Sequence, residues 1–195
     1  MSTDATDGND GQIWSRPWRV LASRPLLDRR PWLWVEEQDV LLPNGHAING
    51  YILAPARDYA VIFALTPDGR VPLVRQYKHG LGRLATDLPA GYLDDAEESP
   101  LACARRELAE ETGLISAHWQ HLGSFPVDTN RGPTATHAFL ARDARPAGNL
   151  HLDETESLLC EFHPLAEITE MVRRGEITSL ASVACALLAL REVGI

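Results

Sequence analysis

The stretch from Gly91 to Leu114, GYLDDAEESPLACARRELAEETGL, constrains this chain more than any other part of its sequence. It predicts a helix over Pro100–Thr112. Ser99 supplies a hydroxyl to cap the helix, and proline suits the first helical position because an N–H there would have no partner within the helix. Gly113 can end the helix in a left-handed conformation.

Three glutamates share one face of this predicted helix. At about 100° per residue, Glu111 lies about 40° to one side of Glu107, and Glu110 lies about 60° to the other. Clustered like charges destabilise a helix. Mg²⁺ or Mn²⁺ would relieve the repulsion, because these cations prefer oxygen ligands, and they also polarise phosphoryl groups toward attack by water. The alternative is an acidic helix face exposed to solvent.

The wider pattern resembles the Nudix box, in which a glycine precedes a glutamate and R-E-x-x-E-E-x-G follows. The matching residues are Gly91, Glu98, Arg106, Glu107, Glu110, Glu111 and Gly113. This chain has one residue more between the glycine and the glutamate than the family pattern has. Glu97 fits the shorter count, but Glu98 keeps the spacing to Arg106 and is preferred, with the extra residue in the loop.

The Nudix resemblance implies a metal centre for Mg²⁺ or Mn²⁺. Its ligands are expected at four positions: Glu107, Glu111, Glu110, either directly or through water, and the Ala90 carbonyl. Glu98 and Arg106 resemble an ion pair that braces the loop against the helix. Gly91 and Gly113 are structural positions of the box.

Motifs outside the box resemble the ADP-ribose pyrophosphatase branch of the Nudix hydrolases. They are Val74-Arg75-Gln76-Tyr77-Lys78, Leu88-Pro89-Ala90-Gly91, the strands around Pro31-Trp32 and Leu42-Pro43-Asn44-Gly45, and Arg174-Gly175-Glu176-Ile177. Each motif is weak alone, but together they follow the order of the branch over about residues 14–192. The resemblance implies hydrolysis of the diphosphate linkage in ADP-ribose or a related ADP-sugar, giving a nucleoside monophosphate and a sugar phosphate.

In that branch a basic residue at the position of Lys78 reaches the diphosphate, and Arg75 is a second candidate contact. Lys78 could instead be a solvated lysine at a strand end, and Arg75 could belong to a surface ion pair. Asp87 stands where the branch has a glutamate, and we expect it to accept a local hydrogen bond.

The acidic segment Asp153–Glu156 resembles the loop that supplies the catalytic glutamate of the branch. A positioned carboxylate can orient or deprotonate the attacking water beside a metal ion. Glu156 is the first candidate for this role and Glu154 is the second. The alternative is an acidic surface loop before a strand.

The segment 126–134, PVDTNRGPT, departs from the pattern of that branch. Thr129 replaces an expected proline, and Thr134 replaces the acidic residue that contacts the terminal ribose. Arg131 is an additional cation, which could bind an anionic group or pair with Asp128. The departure keeps open the same chemistry on another nucleotide sugar or on a dinucleotide cofactor. A more distant alternative is a non-catalytic domain that senses a nucleotide.

The composition of the chain limits the kinds of molecule that it is expected to bind. The chain has 195 residues and a formal net charge of −9, so it gains little from counterion release, and we expect a small nucleoside diphosphate substrate and no nucleic acid. Its three cysteines fit neither a disulfide framework nor a zinc motif, which favours the cytoplasm. The longest apolar stretch is too short to span a membrane, and no membrane association is expected.

The irregular alternation of strands and helices predicts an α/β fold with a mixed sheet flanked by helices. Besides the helix of the box, we predict strands over Tyr59–Leu65, Val71–Tyr77, Leu122–Phe125, His137–Ala141 and Leu158–Phe162, a strand ending in Leu88–Gly91, and helices over Pro164–Arg174 and Ser179–Glu192. The resemblance implies the Nudix fold, an α/β/α sandwich with a small N-terminal β-region.

Three parts of the chain are expected: a disordered N-terminal lead over 1–12, an N-terminal β-region over 13–57 and a Nudix hydrolase domain over 58–195. The family resemblance also implies a homodimer. The density of tryptophans at positions 14, 18, 32 and 34 is compatible with a dimer, and these rings could pack together or stack on a nucleobase.

Overall fold

The computed structural model describes residues 16–94, 98–147 and 157–195. The chain divides into two units: residues 1–56 with 128–133 form the first, and residues 57–127 with 134–195 form the second. The expected lead over 1–12, Trp14 and the acidic segment with Glu154 and Glu156 lie outside the described residues. Within the described residues, no helix has both the length and the apolar character needed to cross a membrane.

The first unit contains an antiparallel sheet in the order β1–β2–β3. Its strands are β1 (Arg19–Arg29), β2 (Leu33–Leu41) and β3 (Ala47–Leu53). The turn between β2 and β3 lies at Pro43–Gly45. Gly45 has a φ of +83°, which glycine adopts without the steric cost that a side chain would add. Its N–H donates to the Leu42 carbonyl at 2.9 Å.

The second unit contains the remaining described strands and helices. The strands are β4 (Tyr59–Ala64), β5 (Arg70–Lys78), β6 (Arg83–Asp87), β7 (Ala90–Tyr92), β8 (Leu114–Ile115), β9 (His118–Pro126), β10 (Ala135–Arg142), β11 (Arg145–Pro146) and β12 (Leu158–Pro164). The α-helices are α1 (Pro100–Thr112), α2 (Leu165–Arg173) and α3 (Leu180–Val193), and a short 3-10 helix spans His79–Leu81. Helix α1 has the predicted bounds: the Ser99 side chain accepts from the Ala102 N–H, and Gly113 has a φ of +69°.

The central sheet has the order β7–β4–β10–β9. Strands β4 and β10 are parallel and the other pairs are antiparallel, so the sheet is mixed, as predicted. Successive side chains of β4 alternate between its two faces. Ala60, Ile62 and Ala64 pack with α1, whereas Val61 and Phe63 pack with α3. The expected arrangement of a sheet between helices is therefore confirmed for this unit.

The prediction that Leu88–Gly91 ends one strand is wrong. Strand β6 ends at Asp87, and β7 begins at Ala90. The two strands belong to different sheets, because β6 lies in the antiparallel sheet β12–β5–β6. Leu88 and Pro89 are buried between them, and proline has no N–H to donate to a strand partner. This crossover brings Ala90 and Gly91 to the edge of the central sheet.

Candidate active site

The glutamates of α1 differ sharply in burial. Glu107 is 6% exposed and Glu111 is 2% exposed. The Glu110 side chain, by contrast, is 40% exposed. A carboxylate inside a protein is costly unless a partner compensates its charge. We therefore expect the two buried carboxylates to have partners on β7 and α1 that compensate their charge.

Glu107 lies directly against Gly91. A Cβ atom at position 91 would lie 1.9 Å from the Glu107 carboxyl carbon, far inside van der Waals contact. Glycine is thus favoured at this position by the approach of a side chain, and not by its backbone angles. The Gly91 carbonyl accepts a contact from the Cys103 thiol at 3.4 Å, which ties β7 to the first turn of α1.

Glu111 is held by the backbone of β7. The Ala90 N–H donates to Glu111 Oε2 at 2.9 Å. A charged acceptor makes this hydrogen bond stronger than a neutral pair would. This hydrogen bond fixes the Glu111 carboxylate beside Ala90, whose carbonyl was expected to be a metal ligand.

Arg106 joins the loop to the helix and to the carboxylates. Its guanidinium donates to both Glu98 oxygens, at 3.1 and 3.2 Å, as in the expected ion pair. The same group donates to Glu107 Oε1 at 2.7 Å and to Glu110 Oε2 at 3.1 Å. Burial alone would lower the Arg106 pKa, but these carboxylates outweigh burial and raise it, so Arg106 stays charged. The Asp94 N–H also donates to Glu98 Oε2, at 2.7 Å.

These residues provide the chemistry that a divalent cation needs. Three carboxylates lie on one face of α1, and the missing Cβ of Gly91 leaves the space that the Glu107 carboxylate occupies. Their oxygen atoms are the ligands that Mg²⁺ and Mn²⁺ prefer. In residues 16–94, 98–147 and 157–195 no three His, Cys, Asp or Glu side chains converge closely enough to hold an ion. In this conformation Arg106 donates to both Glu107 and Glu110.

A cavity of about 330 Å³ opens beside Glu111. Its lining residues are Tyr59, Val61, Gln76, Lys78, Asp87, Leu88, Ala90, Gly91, Tyr92, Glu111, Ser179, Ala181 and Ser182. Gln76 and Lys78 line it together because alternate residues of a strand share a face. The described lining does not include Arg75, which directly precedes Gln76 on β5 and so faces the other side of the strand.

Asp87 forms the local hydrogen bond that was expected of it. Asp87 Oδ1 accepts from the Ser179 N–H at 2.7 Å, where α3 begins. The neighbouring Leu88 N–H donates to Ser182 Oγ at 3.1 Å. Together the two contacts hold the start of α3 against the end of β6, and so complete the wall of the cavity.

Sequence reasoning missed five polar or aromatic residues of this wall: Tyr59, Gln76, Tyr92, Ser179 and Ser182. Tyr59 and Tyr92 are partners across β4 and β7, and their ring centroids lie 5.9 Å apart. Neither tyrosine stands at a position that defines a motif. Only the position of Gln76 gave a signal, since it lies two residues before Lys78 on a predicted strand.

Arg131 belongs to the first unit, in the segment 128–133. Its guanidinium donates to the Ile52 carbonyl at 3.1 Å. Its own carbonyl accepts from the Ala54 N–H at 2.7 Å. The suggested partner, Asp128, contacts Arg131 through the backbone, its carbonyl accepting from the Arg131 N–H at 3.1 Å. The side chain is thus directed to the backbone of β3.

Comparison with known proteins agrees with this geometry. The model of the NUDIX domain family matches residues 55–181. An ADP-ribose pyrophosphatase of Mycobacterium tuberculosis is 32% identical over 152 residues, which are 77% of this chain and 72% of that protein. An ADP-ribose pyrophosphatase of Bacillus subtilis is 36% identical over 146 residues, 74% of this chain and 77% of that protein.

A solved structure described as an ADP compounds hydrolase superposes with a TM-score of 0.80. It is 23% identical and the match covers 92% of this chain and 97% of that one, which shows a shared fold. Nudix hydrolases generally need a divalent metal ion. With the family model matching most of the chain and two relatives above 30% identity, the chain belongs to the Nudix family.

Proposed function

We propose that this chain hydrolyses the diphosphate linkage of a nucleoside diphosphate joined to a second group, most directly ADP-ribose or a related ADP-sugar. One observation carries the proposal: the buried Glu111 carboxylate lies in the wall of a cavity that Lys78 also lines. A negative group and a positive group facing one cavity suit a metal ion and a phosphate. The products would be AMP and a sugar phosphate.

The metal ligands would be Glu107, Glu110, Glu111 and the Ala90 carbonyl, with Mg²⁺ or Mn²⁺ as the ion. A bound ion of this kind neutralises phosphate charge and acidifies water. The protein contributes the position of the ligands: β7 fixes Glu111, and the space at Gly91 admits Glu107. Arg106, which spans Glu98, Glu107 and Glu110, keeps the helix and the preceding loop in register.

Lys78 would bind the diphosphate by charge, since it lines the cavity. Glu156, or alternatively Glu154, would orient or deprotonate the attacking water; both lie outside the described residues. Arg75 lies on the other face of its strand from Gln76 and Lys78. This position favours a surface ion pair over a phosphate contact as the role of Arg75. Arg131 stays a candidate substrate contact from the first unit.

The substrate class rests on the names of the two pyrophosphatase relatives. The departure of residues 126–134 favours a second candidate, the same reaction on another nucleotide sugar or on a dinucleotide cofactor. A homodimer in the cytoplasm that binds no nucleic acid completes the proposal. In support of it, Trp18 and Trp32 of the first unit are 47% and 72% exposed, and the net charge is −9.

A panel of diphosphates tests the proposal. ADP-ribose, ADP-glucose, GDP-mannose, UDP-glucose, NADH and FAD are incubated with Mg²⁺ or Mn²⁺, and phosphomonoester products are measured with a coupled phosphatase. Glu111→Gln retains an oxygen to accept from the Ala90 N–H but loses the charge, and we expect its kcat/KM to fall at least about a hundredfold. Glu110→Gln, at the exposed position, is the matched comparison and should lose less.

ADP-ribose should lead the panel. Turnover led by NADH or FAD would favour the dinucleotide candidate. Folded protein that binds a nucleotide tightly, and yet turns over nothing with either metal, would reject the hydrolase in favour of a sensor.

A further inference from the structure

A second group of reactive side chains lies on β9, β10 and the residue before β4. It consists of Asp58, His121, Ser124 and His137, all in the second unit, and is called the Ser124 cluster below. Ser124 and His137 are direct partners across β9 and β10. Asp58 comes close because β4 runs parallel to β10. None of the four residues is part of the cavity lining beside Glu111.

The distances within the Ser124 cluster are those of formed or nearly formed hydrogen bonds. Ser124 Oγ lies 2.7 Å from His137 Nδ1 and 3.0 Å from His121 Nε2. His137 Nε2 lies 3.5 Å from Asp58 Oδ2. The other carboxylate oxygen of Asp58 accepts from the Ala135 N–H at 2.8 Å, which fixes the orientation of the carboxylate.

The position of the Asp58 carboxylate determines which nitrogen of His137 carries the proton. His137 Nε2 is buried and has no hydrogen-bond partner among the described residues, so the carboxylate is the group it faces. A neutral imidazole carries one N–H, and placing it on Nε2 avoids two acceptors facing each other. Nδ1 is then the acceptor for the Ser124 hydroxyl proton. Since a hydroxyl has one proton, His121 Nε2–H must donate to Ser124 Oγ.

This order gives the residues distinct chemical roles. A hydroxyl that donates to an imidazole, which in turn faces a carboxylate, has the arrangement of an activated nucleophile, its base and the group that orients the base. The contact between His137 and Asp58 is longer than a formed hydrogen bond, and such contacts often tighten only when substrate binds. Ser124 is exposed, whereas the His137 side chain is only 13% exposed, so an attacking group is accessible and its base is shielded.

The edge of the sheet offers a place for the oxygen that becomes negative during acyl transfer. Among the described strands β9 is the last of its sheet, with β10 on one side. The outer side of an edge strand presents N–H groups that no neighbouring strand uses. Backbone N–H groups of this kind stabilise an oxyanion at a reacting carbonyl.

We propose that Ser124 is a nucleophile activated by His137, and that it accepts acyl groups from activated carboxylic esters at a site separate from the carboxylates of α1. Ser124 Oγ forms a bond to the carbonyl carbon while its proton passes to His137 Nδ1. The ester C–O bond breaks, and the departing oxygen takes that proton and leaves as an alcohol. Water, deprotonated by His137, then releases the carboxylic acid and restores the serine. Asp58 is a positioning residue for His137.

The probe for this reaction is p-nitrophenyl acetate, with the full chain and no added metal. Release of p-nitrophenol is followed by absorbance, and the acetylated residue is identified by peptide mass spectrometry. We expect acetyl-Ser124 in the wild type and none in Ser124→Ala. His137→Gln should slow acetylation about a hundredfold, the usual contribution of a general base. Ser116→Ala is the matched control, because the Ser116 hydroxyl donates to the backbone carbonyls of His118 and Arg142 and not to an imidazole.

The pH dependence of Ser124 acetylation distinguishes a hydroxyl activated by His137 from one that reacts only because it is exposed. In the wild type the rate of acetylation should rise with pH as one base loses its proton, and His137→Gln should abolish this dependence. Asp58→Asn removes the carboxylate that orients the imidazole and retains an oxygen for the Ala135 N–H, so it should slow acetylation of Ser124. Circular dichroism of each variant confirms folding, and Asp58→Asn keeps the test open if His137→Gln does not fold.

Acetyl groups on lysine or histidine with none on Ser124 would overturn the proposal. So would equal rates of Ser124 acetylation in the wild type, His137→Gln and Asp58→Asn. Diphosphate hydrolysis should be unchanged in Ser124→Ala, so the outcome does not depend on the reaction proposed for the Nudix site.

Discussion

The Glu107 carboxylate occupies the space in which any residue other than glycine at position 91 would place its Cβ atom. A Gly91→Ala protein must therefore displace Glu107 or move β7 away from α1. We expect the free energy of unfolding to fall by about 1–3 kcal/mol from overpacking. We also expect diphosphate turnover to fall by about a hundredfold, since a shift of about 1 Å in a catalytic group has that effect. Urea unfolding and kcat/KM measure the two effects.

Gly80→Ala is the control for Gly91→Ala. A Cβ atom at Gly80 would have no heavy atom within 4 Å. The free energy of unfolding and the kcat/KM of Gly80→Ala should stay near those of the wild type. Equal losses in the two variants would mean that glycine at position 91 serves the flexibility of the chain and not the approach of Glu107.

Lys78 and Arg75 form a natural pair for testing the diphosphate contact. Lys78 lines the cavity beside Glu111, whereas Arg75, three residues earlier on β5, faces the other side of the strand. A charge-assisted hydrogen bond contributes about 1.5–3 kcal/mol, so Lys78→Gln should raise KM for ADP-ribose by about ten- to a hundredfold. Arg75→Gln should change it less than about threefold. Steady-state kinetics at fixed metal concentration measure KM for both variants. A larger increase in Arg75→Gln than in Lys78→Gln would refute the assignment of the diphosphate contact to Lys78.

Asp87 links the strand before the box to the start of α3. Without its carboxylate the Ser179 N–H loses its acceptor, and we expect Asp87→Ala to lower the free energy of unfolding by about 1–3 kcal/mol. Asp68→Ala, in an exposed turn where the carboxylate contacts Thr66 and Arg70, should cost less than about 1 kcal/mol. Urea unfolding of the two variants compares these costs, and similar values for both would contradict the structural role of Asp87.

The buried thiol of Cys185 predicts a loss of stability in alkali. Burial raises its pKa from 9.0 to about 12. Above pH 9 the unfolded chain releases this proton before the folded chain does, so the folded state loses stability as pH rises toward 12. Between pH 8 and pH 10.5 this one thiol accounts for about 2 kcal/mol of lost stability.

Cys185→Ala tests this dependence. The variant creates a small cavity in the core at every pH, so its absolute stability should be lower at pH 8. Its loss between pH 8 and pH 10.5, measured by urea unfolding, should nevertheless be about 2 kcal/mol smaller than that of the wild type. Parallel losses in the two proteins would assign the alkaline effect to other groups, such as Cys103, whose pKa burial raises to about 12.

The helix of the box was predictable because its determinants are local. Ser99, Pro100 and Gly113 set both ends of α1 within the printed sequence, and the same residues perform those roles in the structure. The mixed sheet followed from strand patterns that are also local. The crossover at Leu88 and Pro89 was mistaken for the end of one strand, since the choice between two sheets depends on partners far along the chain.

The wall of the cavity was less predictable than the carboxylates. Asp87 and Ser179 are 92 residues apart in sequence, and only the packed fold brings them into contact. The same holds for the segment 128–133, which joins the first unit through hydrogen bonds such as that from Tyr51 to the Asn130 carbonyl. Motif spacing carries no information about contacts of this kind.

The division of the cavity between two distant segments of the chain also bears on how such a protein can diversify. The charged face of α1 is constrained by Arg106, which contacts Glu98, Glu107 and Glu110 at once, so a substitution there disturbs several groups together. Ser179 and Ala181, at the start of α3, contribute to the same cavity without touching that network. Mutations accumulating at the start of α3 can therefore reshape the preference for one substrate over another while the hydrolytic apparatus is inherited unaltered.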